Sequence, residues 1–137
     1  MIVLDTNVVS EPLSRVPDQN VLRWLAEHST DVALTSITVA ELRFGVQRLP
    51  EGRRRDHLTA AVDDLIVGAA ERILPFDAEA ADTDGRLRAR RESVGRLVST
   101  EDTMIAAICL AGGHTLATRN TKDFDDAGFE LHNPWVH

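Results

Sequence analysis

The chain has 137 residues, 43% of them hydrophobic, enough for one domain (1–137) to bury a core without disulfide staples, and its single Cys109 can pair with nothing inside the chain. Fifteen Lys and Arg against 22 Asp and Glu leave a net charge of −7, which argues against a general nucleic-acid binder, since such domains are usually basic. No apolar run approaches the ~20 residues that span a bilayer, and the first apolar run is too short and lacks the basic flank of a secretory signal. The expectation is a cytoplasmic protein with no membrane association.

Ile2–Leu4 reads as a short buried strand that ends abruptly in Asp5. Residues 18–29 read as an amphipathic helix, with Val21, Leu22, Trp24 and Leu25 at helical spacing. Val32–Leu34 reads as a second strand, and Thr35-Ser36 as a helix start. The helix that follows has Val39, Leu42, Phe44, Val46 and Leu49 as its apolar set and is broken by Pro50-Glu51-Gly52. A long helix covers about 53–71, and Ile73-Leu74 is a third strand closed by Pro75. Another helix runs from about Ala78 into an arginine-rich stretch. Ser99 opens the next, with Met104, Ile105, Ile108 and Cys109 as its apolar face and Gly112-Gly113 as its stop. Thr115–Thr118 is a fourth strand, Arg119–Phe124 a polar turn, and Glu130–His132 a short last strand. Strands alternating with helices predict an α/β fold, a parallel sheet of four to five short strands with helices on both faces.

The charge is unevenly spread. Residues 86–96 hold five arginines (86, 88, 90, 91, 96) and one glutamate, and Arg53, Arg54 and Arg55 form a second basic spot. Each spot alone reads as a solvated helix face; together they fit a phosphate-contacting rim around an acidic centre. In open α/β sheets ligands bind beyond the carboxyl ends of the strands. Asp5 stands at such an end, Asp123 just past another, Glu41 early in the helix after the second strand, and Asp102 in the first turn of the Ser99 helix. Each has an ordinary structural reading as a cap, a helix-dipole partner, a turn residue or a solvent-facing acid. Gathered together they repel unless a cation sits among them, and hard oxygen ligands suit Mg2+ or Mn2+. The histidines 28, 57, 114, 132 and 137 lack zinc-site spacing, and the chain has neither a glycine-rich phosphate loop nor a Gly-x-Ser-x-Gly elbow. Metal-assisted chemistry therefore stands ahead of nucleotide-cofactor or serine-nucleophile chemistry.

Four stretches in order resemble the PIN-domain ribonucleases and, within them, the VapC toxins of type II toxin–antitoxin pairs. They are IVLDTNVVSE with an acid at Glu11; TSITVAELRFGV with Val-x-Glu-Leu-x-x-Gly; and STEDTMIAAICLAGGHTLATRNTKDF, which runs the third and fourth motifs together. The resemblance implies a PIN-like fold and an acidic, Mg2+-dependent endoribonuclease site. Asp5, Glu41 and Asp102 match the first three acids, with Asp5 and Asp102 as the metal ligands. The fourth position is either Asn120, where many members carry an acid, or Asp123, the acid of Asp-Phe; Asp123 is the better match. Thr6, Asn7, Ser36, Thr118 and Asn120 match polar positions that orient acids and waters. Water activated at the metal would attack an RNA phosphodiester, with Glu41 or Asp123 as proton acceptor. Arg53, Arg54, Arg55, Arg86, Arg88, Arg90 and Arg91 are the candidate RNA-binding residues. The resemblance further implies inhibition by a cognate antitoxin protein and a homodimer formed through helices between Arg53 and Arg91. The main alternative is a PIN fold that grips RNA or protein without cutting. A haloacid-dehalogenase-type phosphatase would want a second Asp where the chain has Asn7, and a DNA nuclease is left open.

Overall fold

The computed structural model describes residues 1–136; His137, one of the histidines weighed above, lies outside the described residues. Among the described residues the order is β1 (Ile2–Leu4), α1 (Thr6–Ser10), α2 (Gln19–Glu27), β2 (Val32–Thr35), α3 (Ser36–Gln47), α4 (Arg53–Gly68), β3 (Ile73–Leu74), α5 (Ala78–Ser93), α6 (Thr100–Gly112), β4 (Thr115–Ala117) and β5 (Leu131–His132). Short 3-10 turns fill Glu11–Leu13, Ala70–Arg72 and Thr121–Asp123. All strand pairs are parallel, in the order β3-β2-β1-β4-β5.

A central parallel strand is buried on both faces, which is why β1 is an unbroken apolar run. Its side chains alternate between two cores. Ile2 and Leu4 join Val8, Val9, Val21, Leu42, Val46 and Val62, under α1 to α4. Val3 joins Leu87, Ile105, Ala106, Leu116 and Phe124, under α5 and α6. Strand order supplies the reason. The chain steps from β1 through β2 to β3 in one direction, then crosses back to β4. With right-handed crossovers, reversing direction moves the helices to the other face.

Helix starts follow side-chain chemistry. Asp5, Asp18, Thr35, Asp77 and Ser99 each accept a backbone N–H at a helix N-terminus, an arrangement that contributes about 1 kcal/mol per cap. Gly113, at φ 67°, takes the left-handed turn that ends α6. The 53–71 helix stops earlier than expected, at Gly68, because Ala69–Arg72 tighten into the turn that feeds β3.

Phe44 is a correction to the expected apolar set of α3. The buried line is Thr38, Leu42 and Val46, four residues apart, and Phe44 points about 200° away from Leu42. It is 66% exposed, with the Arg48 guanidinium 5.6 Å from its ring.

Leu116 lies in β4 with no exposed surface. Leu116→Ala is expected to cost about 2–5 kcal/mol, read from urea unfolding; a cost under ~1 kcal/mol would show that this core collapses to fill the cavity.

Candidate active site

The sheet changes direction between β1 and β4, whose connections leave toward opposite edges, and the crevice beyond such a pair is where open α/β sheets take ligands. Asp5 and Thr118 are the first residues past the two strands. Thr118 Oγ1 donates to Asp5 Oδ2 at 2.7 Å, and the Asp5 amide donates to Ala117 O at 2.9 Å. The Thr6 amide donates to Asp5 Oδ1 at 2.8 Å, and Asn7 Nδ2 lies 3.4 Å from Oδ2. Asn7 Oδ1 accepts the Arg119 amide at 3.4 Å, so Asn7 also reaches across the seam. The Asn120 amide donates to Thr118 Oγ1 at 3.0 Å.

Asp5 is therefore a helix cap and more than a cap. It is 3% exposed, and burial pushes its carboxyl above the usual range even though Thr118 and Thr6 donate to it; Glu41 and Asp123 push the same way.

Glu41 sits one turn and a half into α3 and accepts Thr6 Oγ1 at 2.7 Å. Thr6 Oγ1 is also 3.0 Å from Thr38 Oγ1. Burial raises the Glu41 carboxyl, opposed by the Thr6 hydrogen bond and reinforced by Asp102 and Glu101. Asp102 is fixed through its backbone, its amide donating to Ser99 Oγ at 3.1 Å. It is pushed up to about 6 by burial first, then by the charges of Asp5 and Asp123. The four acids thus share one electrostatic neighbourhood, to which Asp123 contributes from the 3-10 turn after β4.

Two expected residues do other work. Ser36 Oγ accepts the Phe76 amide at 3.0 Å and so anchors the chain leaving β3, not the acids. Its place is taken by Thr35 and Thr38: Thr35 caps α3 at the Thr38 amide, and Thr38 meets Thr6. Thr38 was legible as the one polar member of the Thr38–Leu42–Val46 line. Arg91 is the second correction. It is 3% exposed and ion-paired with Asp126 at 2.9 Å, so it is unavailable to RNA. Its neighbours remain at the surface, Arg86 paired with Asp82 and Arg88 with Asp84, each at i,i+4. Glu101, beside Asp102 in the first turn of α6, is an acid that motif reading passed over.

The PIN domain profile matches residues 2–130. The chain belongs to the PIN-domain family. This PIN domain is 44% identical to plasmid stability protein StbB of Pseudomonas syringae pv. tomato, over 98% of this chain and 99% of that protein. It is 42% identical to VapC ribonuclease Y4jK of Sinorhizobium fredii, over 98% of each. The crystal structure of FitAcB from Neisseria gonorrhoeae superposes with a TM-score of 0.92 at 40% identity, covering 100% of both chains. The four motifs thus lead to the same family as whole-chain similarity does, the VapC-type PIN ribonucleases.

PIN ribonucleases depend in general on a divalent metal, and the residues can be tested against one. Among the described residues, no three His, Cys, Asp or Glu side chains are arranged to hold a metal ion together. Mg2+ does not ask for that, because it keeps several waters and takes one or two carboxylates. The donors are all hard oxygens, and two of the four acids are already oriented by hydroxyls. Burial first, and then the neighbouring acids, raise the Asp5, Glu41 and Asp102 carboxyls, and no cationic side chain among the described residues lowers any of the three. The residues present fit a hard divalent cation.

The Asp102 shift fixes a sign. Its folded pKa of about 6 lies above the ordinary carboxyl value, so between those values the folded state holds a proton that the unfolded state has released. Stability from this group is full at low pH and is lost as pH rises through about 6. Without divalent metal, the parent's thermal midpoint should fall relative to Asp102→Asn from pH 4 to 7, and Mg2+ should restore it at pH 7. Parallel curves would remove Asp102 from the repelling cluster.

Proposed function

We propose that this PIN domain is a Mg2+-dependent endoribonuclease, the toxin of a toxin–antitoxin pair, acting in the cytoplasm. The observation that carries the reading is the convergence of Asp5, Glu41, Asp102 and Asp123 beyond the β1–β4 seam, in a chain similar along its whole length to a VapC ribonuclease. Among the described residues no helix is long and apolar enough to cross a membrane.

Asp5 and Asp102 would hold the ion, and Mn2+ has the same taste for oxygen ligands. When bound, such a cation lowers the pKa of a water and neutralises charge on a phosphate. The rest falls to side chains. Thr118, Asn7 and the Thr6 amide fix the Asp5 carboxylate, and Thr6 Oγ1 aims Glu41. Glu41, oriented by Thr6 and with its proton affinity raised by burial, accepts the proton of the attacking water. Asp123 supplies the fourth charge, with Asn120 beside it. The phosphodiester P–O bond breaks, and water adds across it to leave two shorter RNA pieces.

Arg53, Arg54 and Arg55 at the start of α4, and Arg86, Arg88 and Arg90 on α5, are the basic side chains that would meet RNA phosphates. A groove of about 620 Å³ beside the acids, lined by Thr6, Ile37, Glu41, Phe44, Arg48 and Met104, suits the apolar and basic side chains of an antitoxin segment. The net charge of −7 favours a basic partner of that kind. A homodimer through α4 and α5 completes the reading.

Purified protein should cleave labelled RNA with Mg2+, lose that cleavage with chelator, and leave single-stranded DNA and a phosphatase substrate intact. Asp5→Asn should reduce cleavage by at least about a hundredfold, since even residues that only orient metal ligands are worth ~10–100-fold. Equal cleavage by the variant sinks the role of Asp5, and RNA binding without cleavage by the parent favours the non-cutting alternative. Replacing Arg53, Arg54 and Arg55 by Gln should weaken RNA binding and lower its salt slope by about 1 for each phosphate no longer neutralised. An unchanged slope removes them from the interface.

A further inference from the structure

Arg91 is the one buried Lys or Arg among the described residues, and its guanidinium joins two parts of the site that are far apart in sequence. Nη1 donates to Thr103 Oγ1 at 3.0 Å. Nη2 donates to Asp123 O at 2.8 Å and to Asp126 Oδ1 at 2.9 Å, and Nε to Asp126 Oδ2 at 3.0 Å. Thr103 directly follows Asp102, and its hydroxyl and amide both donate to Ser99 O at 3.0 Å. One planar cation therefore grips the first turn of α6 with one nitrogen and the Asp123 turn with the other two.

A buried cation is a poor choice if the task is only to hold α5 in place, because apolar residues of similar size do that as well or better. The fork does what an apolar residue cannot. It fixes the backbone that carries Asp123 at a set distance from the turn that carries Asp102, and these two acids repel. Arg96 extends the clamp, donating to Lys122 O and pairing with Asp125 at 2.8 Å. The Arg91 hydrogen bonds lower the Asp126 carboxyl, which favours the charged form that closes the fork.

We propose that Arg91 is a positioning residue that sets the spacing of Asp102 and Asp123 and, through it, the affinity of the site for a divalent cation. The inference rests on the reading that Asp102 holds the metal, with Asp123 as the neighbouring charge. Lys keeps the charge but cannot reproduce the fork, so R91K separates geometry from charge. T103V cuts only the link to α6.

The experiment combines Mn2+ calorimetry with amide hydrogen exchange on the parent, R91K, T103V and D102N. R91K should bind Mn2+ about tenfold more weakly, the scale expected when the support of a metal ligand is removed, and should exchange faster across residues 121–126. T103V should bind several-fold more weakly with exchange at 121–126 unchanged. A folded R91K with the parent's Mn2+ affinity overturns the proposal, and if R91K does not fold, T103V with the parent's affinity overturns it. A parent that binds Mn2+ no better than D102N refutes the metal reading instead. In that case exchange decides the clamp: faster exchange at 99–103 and 121–126 in R91K sustains it, and unchanged exchange overturns it.

Discussion

The hydrogen bond from Thr118 to Asp5 closes the seam between the two central strands, and the site hangs on it. Asp5 ends a strand buried on both faces, so its carboxylate cannot retreat to water. A charge in that position must be met by donors or neutralised. Three meet it, from Thr6, Asn7 and Thr118, the last with no exposed surface of its own. Hydrogen bonds to a charged group contribute about 1.5–3 kcal/mol each, yet the carboxyl still lies above its usual range. Burial outweighs the donors, and the balance is left for a cation.

The same economy recurs at Glu41 and Asp102. Hydroxyls and helix starts aim each acid without neutralising it. Thr6 serves twice, offering its amide to Asp5 and its hydroxyl to Glu41. Thr38 and Thr35 continue the hydroxyl chain into the start of α3. The acids are preorganised at a cost in repulsion, which is how a site avoids reorganising at the moment of reaction. Structural charge is handled differently. Arg91 and Asp126 satisfy each other and lower the Asp126 carboxyl, whereas the site acids are left high.

Strands and helix starts were largely legible because they depend on local chemistry. Ile2–Leu4 and Ile73-Leu74 have the bounds their apolar runs suggest, and Ser99 caps its helix as its spacing implied. The common placement of the four acids was legible because strand ends and motif order point to one edge. What escaped was long-range. Arg91 looked like one arginine in a run, and only its register with Ala80, Asp84 and Leu87 marks it as inward-facing. Its partner Asp126 lies 35 residues away and had no motif to flag it. Ser36 and Thr35 are adjacent hydroxyls with opposite duties, and only the path of the chain after β3 separates them. Phe44 broke the apolar pattern because a groove, and not the core, lies on its side of α3.

Asp5 and Thr118 are separated by 113 positions, and the strand that ends just before Thr118 is inserted beside the first strand of the chain. Such non-local pairings form late, since loop closure must precede them. On the ribosome, the seam cannot close until Thr118 has emerged, 113 residues after Asp5. Nascent or prematurely released chains therefore lack an assembled acid cluster. For a ribonuclease, this topology ties assembly of the acid cluster to synthesis of the chain through Thr118.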